Sequence, residues 1–239
     1  MARQPDGPPP PPVVQKLRLQ YAKRGRLRFS SHRDFQRALE RALRRADVPM
    51  AYSAGFHPHP KISFANAAPT GTASEAEYVE LSLAERCDPE AVRRALDESL
   101  PQGLDVLLVV EAAPGALADR LEASEWLVVL PGTERSAVES AVAQFLAQER
   151  VDVERLTKNG PRTLDAREPV VSLAVEPTTG EPTIRLVVRH VTPTVRPNEV
   201  LAALEMLGGV LSEQAAQATR LRQGPLRDGV VGDPLTVSA

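Results

Sequence analysis

Twice along the chain the spacing of apolar residues switches between the two-residue period of a strand and the 3.6-residue period of a helix, in the same order. In the first pass "KLRLQY" (16–21) alternates Leu17, Leu19 and Tyr21 with Arg18 and Gln20, and after the turn "AKRG" the alternation resumes in "RLRFS" through Leu27 and Phe29. The segment "SHRDFQRALERALRRADVP" (31–49) then sets Phe35, Ala38, Leu39, Ala42, Leu43 and Ala46 on one helical face. Ser31 and Asp34 have the spacing of a capping box, and Pro49 disfavours helix beyond Val48. "KISFANAAP" (61–69) and "EYVELSLAE" (77–85) read as strands. "DPEAVRRALDESL" (88–100) reads as a helix with Asp88 as N-cap and Pro89 at its first position, and "GLDVLLVVEAA" (103–113) as a strand. Strand, helix, strand, strand, helix, strand is the order of the ferredoxin-like split βαβ unit, in which four antiparallel strands carry two helices on one face.

A short helical linker, "GALADRLEAS" (115–124), leads into the second pass. "EWLVVL" (125–130) is a strand, "ERSAVESAVAQFLAQ" (134–148) a helix with Val138, Val142 and Leu146 spaced by four, and "VDVERLT" (151–157) a strand. "VVSLAVEP" and "TIRLVVRH" flank "TTGEP" as a hairpin, "PNEVLAALEML" (197–207) is a helix, and "ATRLRQG" (218–224) a last strand. The expected fold class is α+β: two tandem ferredoxin-like units with antiparallel sheets, over residues 15–113 and 114–223. The second unit carries an extra strand or long hairpin. A disordered proline-rich arm (1–14) is expected before them and a flexible tail (224–239) after them.

Cys87 stands alone, so no disulfide forms within the chain and no thiolate set can hold an iron–sulfur cluster or a structural zinc unaided. The longest apolar runs, such as "LDVLLVV", fall well short of the roughly 20 residues of a membrane-spanning helix, and the first residues lack the apolar stretch of a signal peptide. A cytoplasmic location is expected. The net charge of −2 conceals an asymmetry: Lys16 to Lys61 holds 12 lysines and arginines against the three acids Asp34, Glu40 and Asp47. Positive charge is concentrated there, as in a chain that holds a polyanion.

Within that segment Arg37, Arg41, Arg44 and Arg45 line the polar face of the helix, with Arg33 at its start. "SAGFHPHPKISF" (53–64) follows. Pro58 and Pro60 each fix their own φ and push His57 and His59 into extended backbone, so the loop is a stiff lead-in to a strand. In such backbone the two imidazoles point the same way about 7 Å apart, too far for one tetrahedral zinc, and no HExxH or Cys-x-x-Cys accompanies them. No metal and no cofactor are expected. The pair, beside Lys61 and facing His32 at the helix start, suits contact with phosphate or bases. Tyr52, Phe56 and Phe64 could offer rings for base stacking. Two more polar clusters stand out. One is Lys158, Arg162, Asp165 and Arg167 in "TKNGPRTLDAR". The other is His190, Thr192, Thr194 and Arg196 in "HVTPTVRPNEV". No glycine-rich phosphate loop, nucleophile elbow or paired-carboxylate motif is present.

The stretch from "RFSSHRDFQRALERALRRADVPMAYSAGFHPHPKISF" to "ASEAEYVELSL" resembles the signature of the bacterial radical SAM-linked domain of unknown function, and "KNGPRTLDAR" and "TPTVRPNEVLAAL" continue it more weakly. Members occur fused to a radical SAM protein or as short separate chains. One cysteine cannot supply the Cys-x-x-x-Cys-x-x-Cys cluster motif, so the resemblance implies a chain that acts beside such an enzyme or independently of it. More distantly, the first half is similar to the ferredoxin-like RNA-processing proteins of CRISPR systems. That likeness would give His32 the place of their cleaving histidine, but "RLRQGPL" does not reproduce their glycine-rich terminal loop. The expected function is an RNA-binding accessory protein, for transfer or ribosomal RNA, linked to RNA modification or processing. The alternatives are an adaptor that docks a radical SAM or RNA-processing enzyme, and a metal-independent RNA-acting enzyme using His32.

Overall fold

A computed structural model describes residues 11–158, 160–177, 179–209 and 214–236. It is a mixed α+β structure with antiparallel strand pairing, divided into two compact units. One comprises the residues up to Ala118 together with Leu235 and Thr236, the other Asp119–Pro234.

The first unit runs β1 (Gln15–Lys23), α1 (His32–Arg45), β2 (Ile62–Ala65), β3 (Ala73–Leu83), α2 (Pro89–Ser99) and β4 (Val106–Glu111). Its sheet order is β4-β1-β3-β2, antiparallel throughout. The register explains the alternation in the sequence. Leu17 pairs with Leu81, and Leu19 with both Val79 and Val109, so these side chains share one face. Phe35, Leu39 and Leu43 of α1 and Val92 and Leu96 of α2 close over that face as a single core. On the opposite face Arg18 is almost wholly buried, its Nε donating to Glu80 at 2.9 Å and its Nη2 to the Gly115 carbonyl. Lys16 reaches the other Glu80 oxygen at 2.9 Å, and these two cations hold the Glu80 carboxyl below the usual carboxylate range despite its burial.

The second unit runs β5 (Ala123–Val129), α3 (Arg135–Leu146), β6 (Asp152–Thr157), β7 (Gly160–Asp165), β8 (Val170–Val175), β9 (Thr183–Arg189), α4 (Pro197–Gly208) and β10 (Gln217–Gly224). Its sheet order is β10-β5-β9-β8. Trp126, Val128, Ile184, Leu186 and Val188 of the sheet pack on Val138, Val142 and Phe145 of α3 and Val200, Ala203 and Leu204 of α4. A Cβ at Gly208 would stand 2.4 Å from that of Ala141, so the glycine is what lets α4 approach α3 here. The extra hairpin expected in this half is β6–β7, paired from Asp152↔Asp165 to Thr157↔Gly160.

Four local expectations change. Residues 25–29, read as resumed strand, form a 3₁₀ turn. Gly25 sits at φ +53, which diverts the chain from the sheet after Lys23. "PRTLD", read as a loop, is β7. The helical linker reduces to one 3₁₀ turn, Ala118–Arg120, because Ala123 and Ser124 already belong to β5. The flexible tail is instead packed through residue 235: β11 (Leu226–Arg227) and β12 (Val230–Val231) form a tight hairpin over Asp228 and Gly229, both at positive φ, and Val231 and Leu235 are buried. The proline-rich arm lies outside the described residues as far as position 10. Residues 11–14 are exposed, and the Val14 N–H donates to the Leu83 carbonyl.

Candidate nucleic-acid interface

α1 is built to hold one face outward. Ser31 Oγ accepts from the Asp34 N–H at 3.2 Å and the Asp34 carboxylate accepts from the Ser31 N–H at 3.2 Å, the reciprocal capping box. The Ser31 hydroxyl, which donates to Asp34 Oδ2 at 2.6 Å, and the Ser31 N–H together hold the Asp34 carboxyl below its ordinary range. With Phe35, Leu39, Ala42 and Leu43 buried, Arg33, Arg37, Arg41 and Arg44 stand exposed along the opposite side. None of the four has a carboxylate within ion-pair distance among the described residues. Arg45, by contrast, donates to the Ser99 carbonyl.

His32, the first residue of α1, is exposed and sets its ring edge-on to Phe64 of β2 at 4.5 Å. Phe64 meets Phe35 at 6.0 Å, and Phe35 stacks on Tyr21 at 4.0 Å. A line of rings thus runs from the core to the surface histidine. Phe64, expected as a candidate stacking ring, is half-buried within this line.

The His–Pro loop is pinned at its base. Met50 bridges to Leu83 and Tyr52 to Pro60. The Ser53 N–H donates to the His59 carbonyl at 2.9 Å, the His59 N–H to Ser53 Oγ at 3.0 Å, and the Lys61 N–H to the Ala51 carbonyl at 2.8 Å. His57, His59 and Lys61 are exposed, as are Tyr52 and Phe56. Arg33, Arg37, Arg41, Arg44 and His32 on α1 and the loop residues after it are therefore exposed on consecutive segments of the first unit. Among the described residues no three histidine, cysteine or carboxylate side chains converge to hold a metal ion.

The second-unit candidates divide. Lys158 and Arg162 are exposed on the β6–β7 hairpin, and Arg196 is exposed at the start of α4, where its N–H donates to Glu199 at 2.7 Å. Asp165 is structural: its Oδ1 accepts from the N–H groups of Val151 and Arg167. Arg167 donates to the Val170 carbonyl and lies over the Phe145 ring. His190 is structural too, bonded at Nδ1 to the Leu121 carbonyl (2.6 Å) and at Nε2 to Ser124 Oγ (2.7 Å), and burial pushes its pKa below the ordinary histidine value.

Sequence reasoning missed Phe29. It is 58% exposed, with the Arg28 guanidinium 4.6 Å from its ring centroid. Its place in an alternating pattern marked it for the interior. The contrary signal was Gly25, which ends the strand.

The chain belongs to the family described as "Uncharacterized protein conserved in bacteria (DUF2344)", whose model matches residues 16–197. No curated protein matches it. Among solved structures it is similar to a chain in the "Crystal Structure of a Cbf5-Nop10-Gar1 Complex", with 12% identity and a TM-score of 0.49 over 95% of this chain; it spans about half, 56%, of that one. A second similarity, at 17% identity and a TM-score of 0.25, is to "an Unknown Protein from Galdieria sulphuraria", over 86% of this chain and 98% of that one. Neither is close enough to assign a shared fold. Among the described residues no helix is long and apolar enough to cross a membrane.

Proposed function

We propose that this protein binds RNA along the exposed face of α1, as an accessory to RNA modification or processing, and that it works with a radical SAM enzyme as the resemblance of its first half implies. Each unit is read as ferredoxin-like. Numbering the sheet strands within each unit gives the order 4-1-3-2 both times, once β6–β7 is set aside as an insertion.

The observation that carries the reading is the exposed row of Arg33, Arg37, Arg41 and Arg44, with no carboxylate within ion-pair distance among the described residues, in a segment with 12 basic residues against three acidic ones. Guanidinium groups left unneutralised on a rigid helix match phosphate oxygens in geometry as well as charge. Such contacts position a nucleic acid without reading its sequence. His32 at the start of α1 and His57, His59 and Lys61 in the loop after it add exposed donors, and the loop offers its own at little entropic cost because its base is already pinned.

The test is binding of labelled transfer and ribosomal RNA fragments across a salt series. Affinity should fall steeply with salt, and R37E/R41E/R44E should abolish most binding while reducing the log–log salt slope by about 2 to 3. Salt-independent binding, or binding unchanged in the triple variant, would overturn the proposal. A stoichiometric acidic protein that co-purifies after nuclease treatment, with no RNA affinity, would put an adaptor in its place.

A further inference from the structure

The chain has nine aromatic residues, five Phe, three Tyr and one Trp. Tyr21, Phe35, Tyr78, Trp126 and Phe145 are buried and Phe64 is half-buried in the ring line. The three exposed rings are Phe29 (58%), Tyr52 (39%) and Phe56 (63%), and all fall inside the segment that holds the positive charge. Burying such a ring would stabilise the fold, and the rings left out are confined to the stretch of chain that carries the arginine row.

Their placement follows from the chain path. Phe29 ends the 3₁₀ turn two residues before the N-cap of α1, while Tyr52 and Phe56 lie in the pinned loop after its C-terminus. α1 has 14 residues, about 21 Å at the usual rise, and carries Arg33, Arg37, Arg41 and Arg44, none with a carboxylate within ion-pair distance among the described residues. Phe29 is also held in place. Arg28 lies over its ring, and a Cβ at Gly71 would be 3.8 Å from its edge.

We infer that this surface takes single-stranded RNA, with phosphates on the α1 arginines and unstacked bases on Phe29 at one end and Phe56 with Tyr52 at the other. The inference rests on the RNA-binding proposal above and narrows its substrate class. In a duplex the base faces are already stacked on one another and offer nothing to exposed protein rings, whereas a single strand presents a π-face at every base. A duplex would meet the arginines alone.

The experiment uses the full chain and fluorescence anisotropy at one salt concentration, with a labelled single-stranded RNA of about 12 nucleotides, enough for a site of this class, and the same RNA annealed to its complement. The single strand should bind at least tenfold more tightly. F29A and F56A should each weaken single-strand binding by roughly 5- to 100-fold, leave duplex binding within twofold and keep the salt slope unchanged, while F56W should retain affinity. Equal or tighter duplex binding by the unaltered protein would overturn the inference without reference to any variant. So would alanine variants with unaltered single-strand affinity. In either case binding that still vanishes in R37E/R41E/R44E leaves the broader RNA proposal standing, whereas no binding of either form by the unaltered protein overturns both.

Discussion

The arginines of α1 and those of the second unit's ion pairs do different jobs. On α1, Arg33, Arg37, Arg41 and Arg44 are exposed with no carboxylate within ion-pair distance among the described residues. In the second unit several arginines are consumed internally. Arg185 bridges Glu125 and Glu176, Arg155 joins Glu199 at 2.7 Å and the Thr194 carbonyl at 2.7 Å, Arg150 pairs with Asp152, and Arg227 pairs with Glu122. A count of basic residues does not separate these cases; partnership does. Cations already satisfied contribute to local structure, and those without partners are available to an external anion.

The contrast can be broken or sharpened by experiments of decreasing expected size. Reversing Arg37, Arg41 and Arg44 to Glu should cost at least a hundredfold in RNA affinity while leaving the melting temperature nearly unchanged, since surface charges without partners add little to stability. A large drop in melting temperature would show that they serve the fold after all. Arg155→Met should do the reverse. The pair it breaks is mostly buried, with side-chain exposures of 22% and 11%, so the cost should be about 1.5–3 kcal/mol in denaturant titrations, with RNA affinity unchanged. Ser31→Ala removes the α1 cap and should cost about 1 kcal/mol, and any fraying it causes should weaken RNA binding only a fewfold.

The smallest effect concerns His190. Burial depresses its pKa below the ordinary 6.5, so the folded protein holds the ring neutral while the unfolded chain protonates first as pH falls. Its contribution is complete above about pH 6.5 and is lost as pH drops from there toward the depressed folded value. Melting curves from pH 7.5 to 5.5 should show this decline, and His190→Asn should flatten it. An unchanged slope in the variant would remove His190 from the account.

Much of the first unit was legible because each signal was local and redundant. α1 announces itself by its capping box, its apolar face and Pro49 together. The strands were readable where one face is buried, as at Leu17 and Leu19. Legibility failed where pattern and environment part. Leu27 and Phe29 alternate like strand residues, yet Gly25 turns the chain and leaves Phe29 outside. β11 and β12 are two residues each, too short to show a period; the Asp228-Gly229 pair between them carried the turn signal. As for the candidate site, residue type picked out the arginines and the His–Pro loop. Their freedom from partners depends on where every acid sits in three dimensions, which spacing does not disclose. The same limit applied to Asp165, Arg167 and His190, which bond within the second unit to the Val151 N–H, the Val170 carbonyl, and the Leu121 carbonyl with Ser124 Oγ.

The pinning of the His–Pro loop has a consequence in time. The cross-bonds of Ser53 with His59 and of Lys61 with Ala51 leave only the short segment 54–58 around Phe56 to be ordered when a ligand arrives. On the proposed RNA reading, encounter would be governed by the long-range pull of the arginine row, and residence by the exposed rings. Ionic strength should therefore act mainly on the association rate, and loss of Phe56 on the dissociation rate.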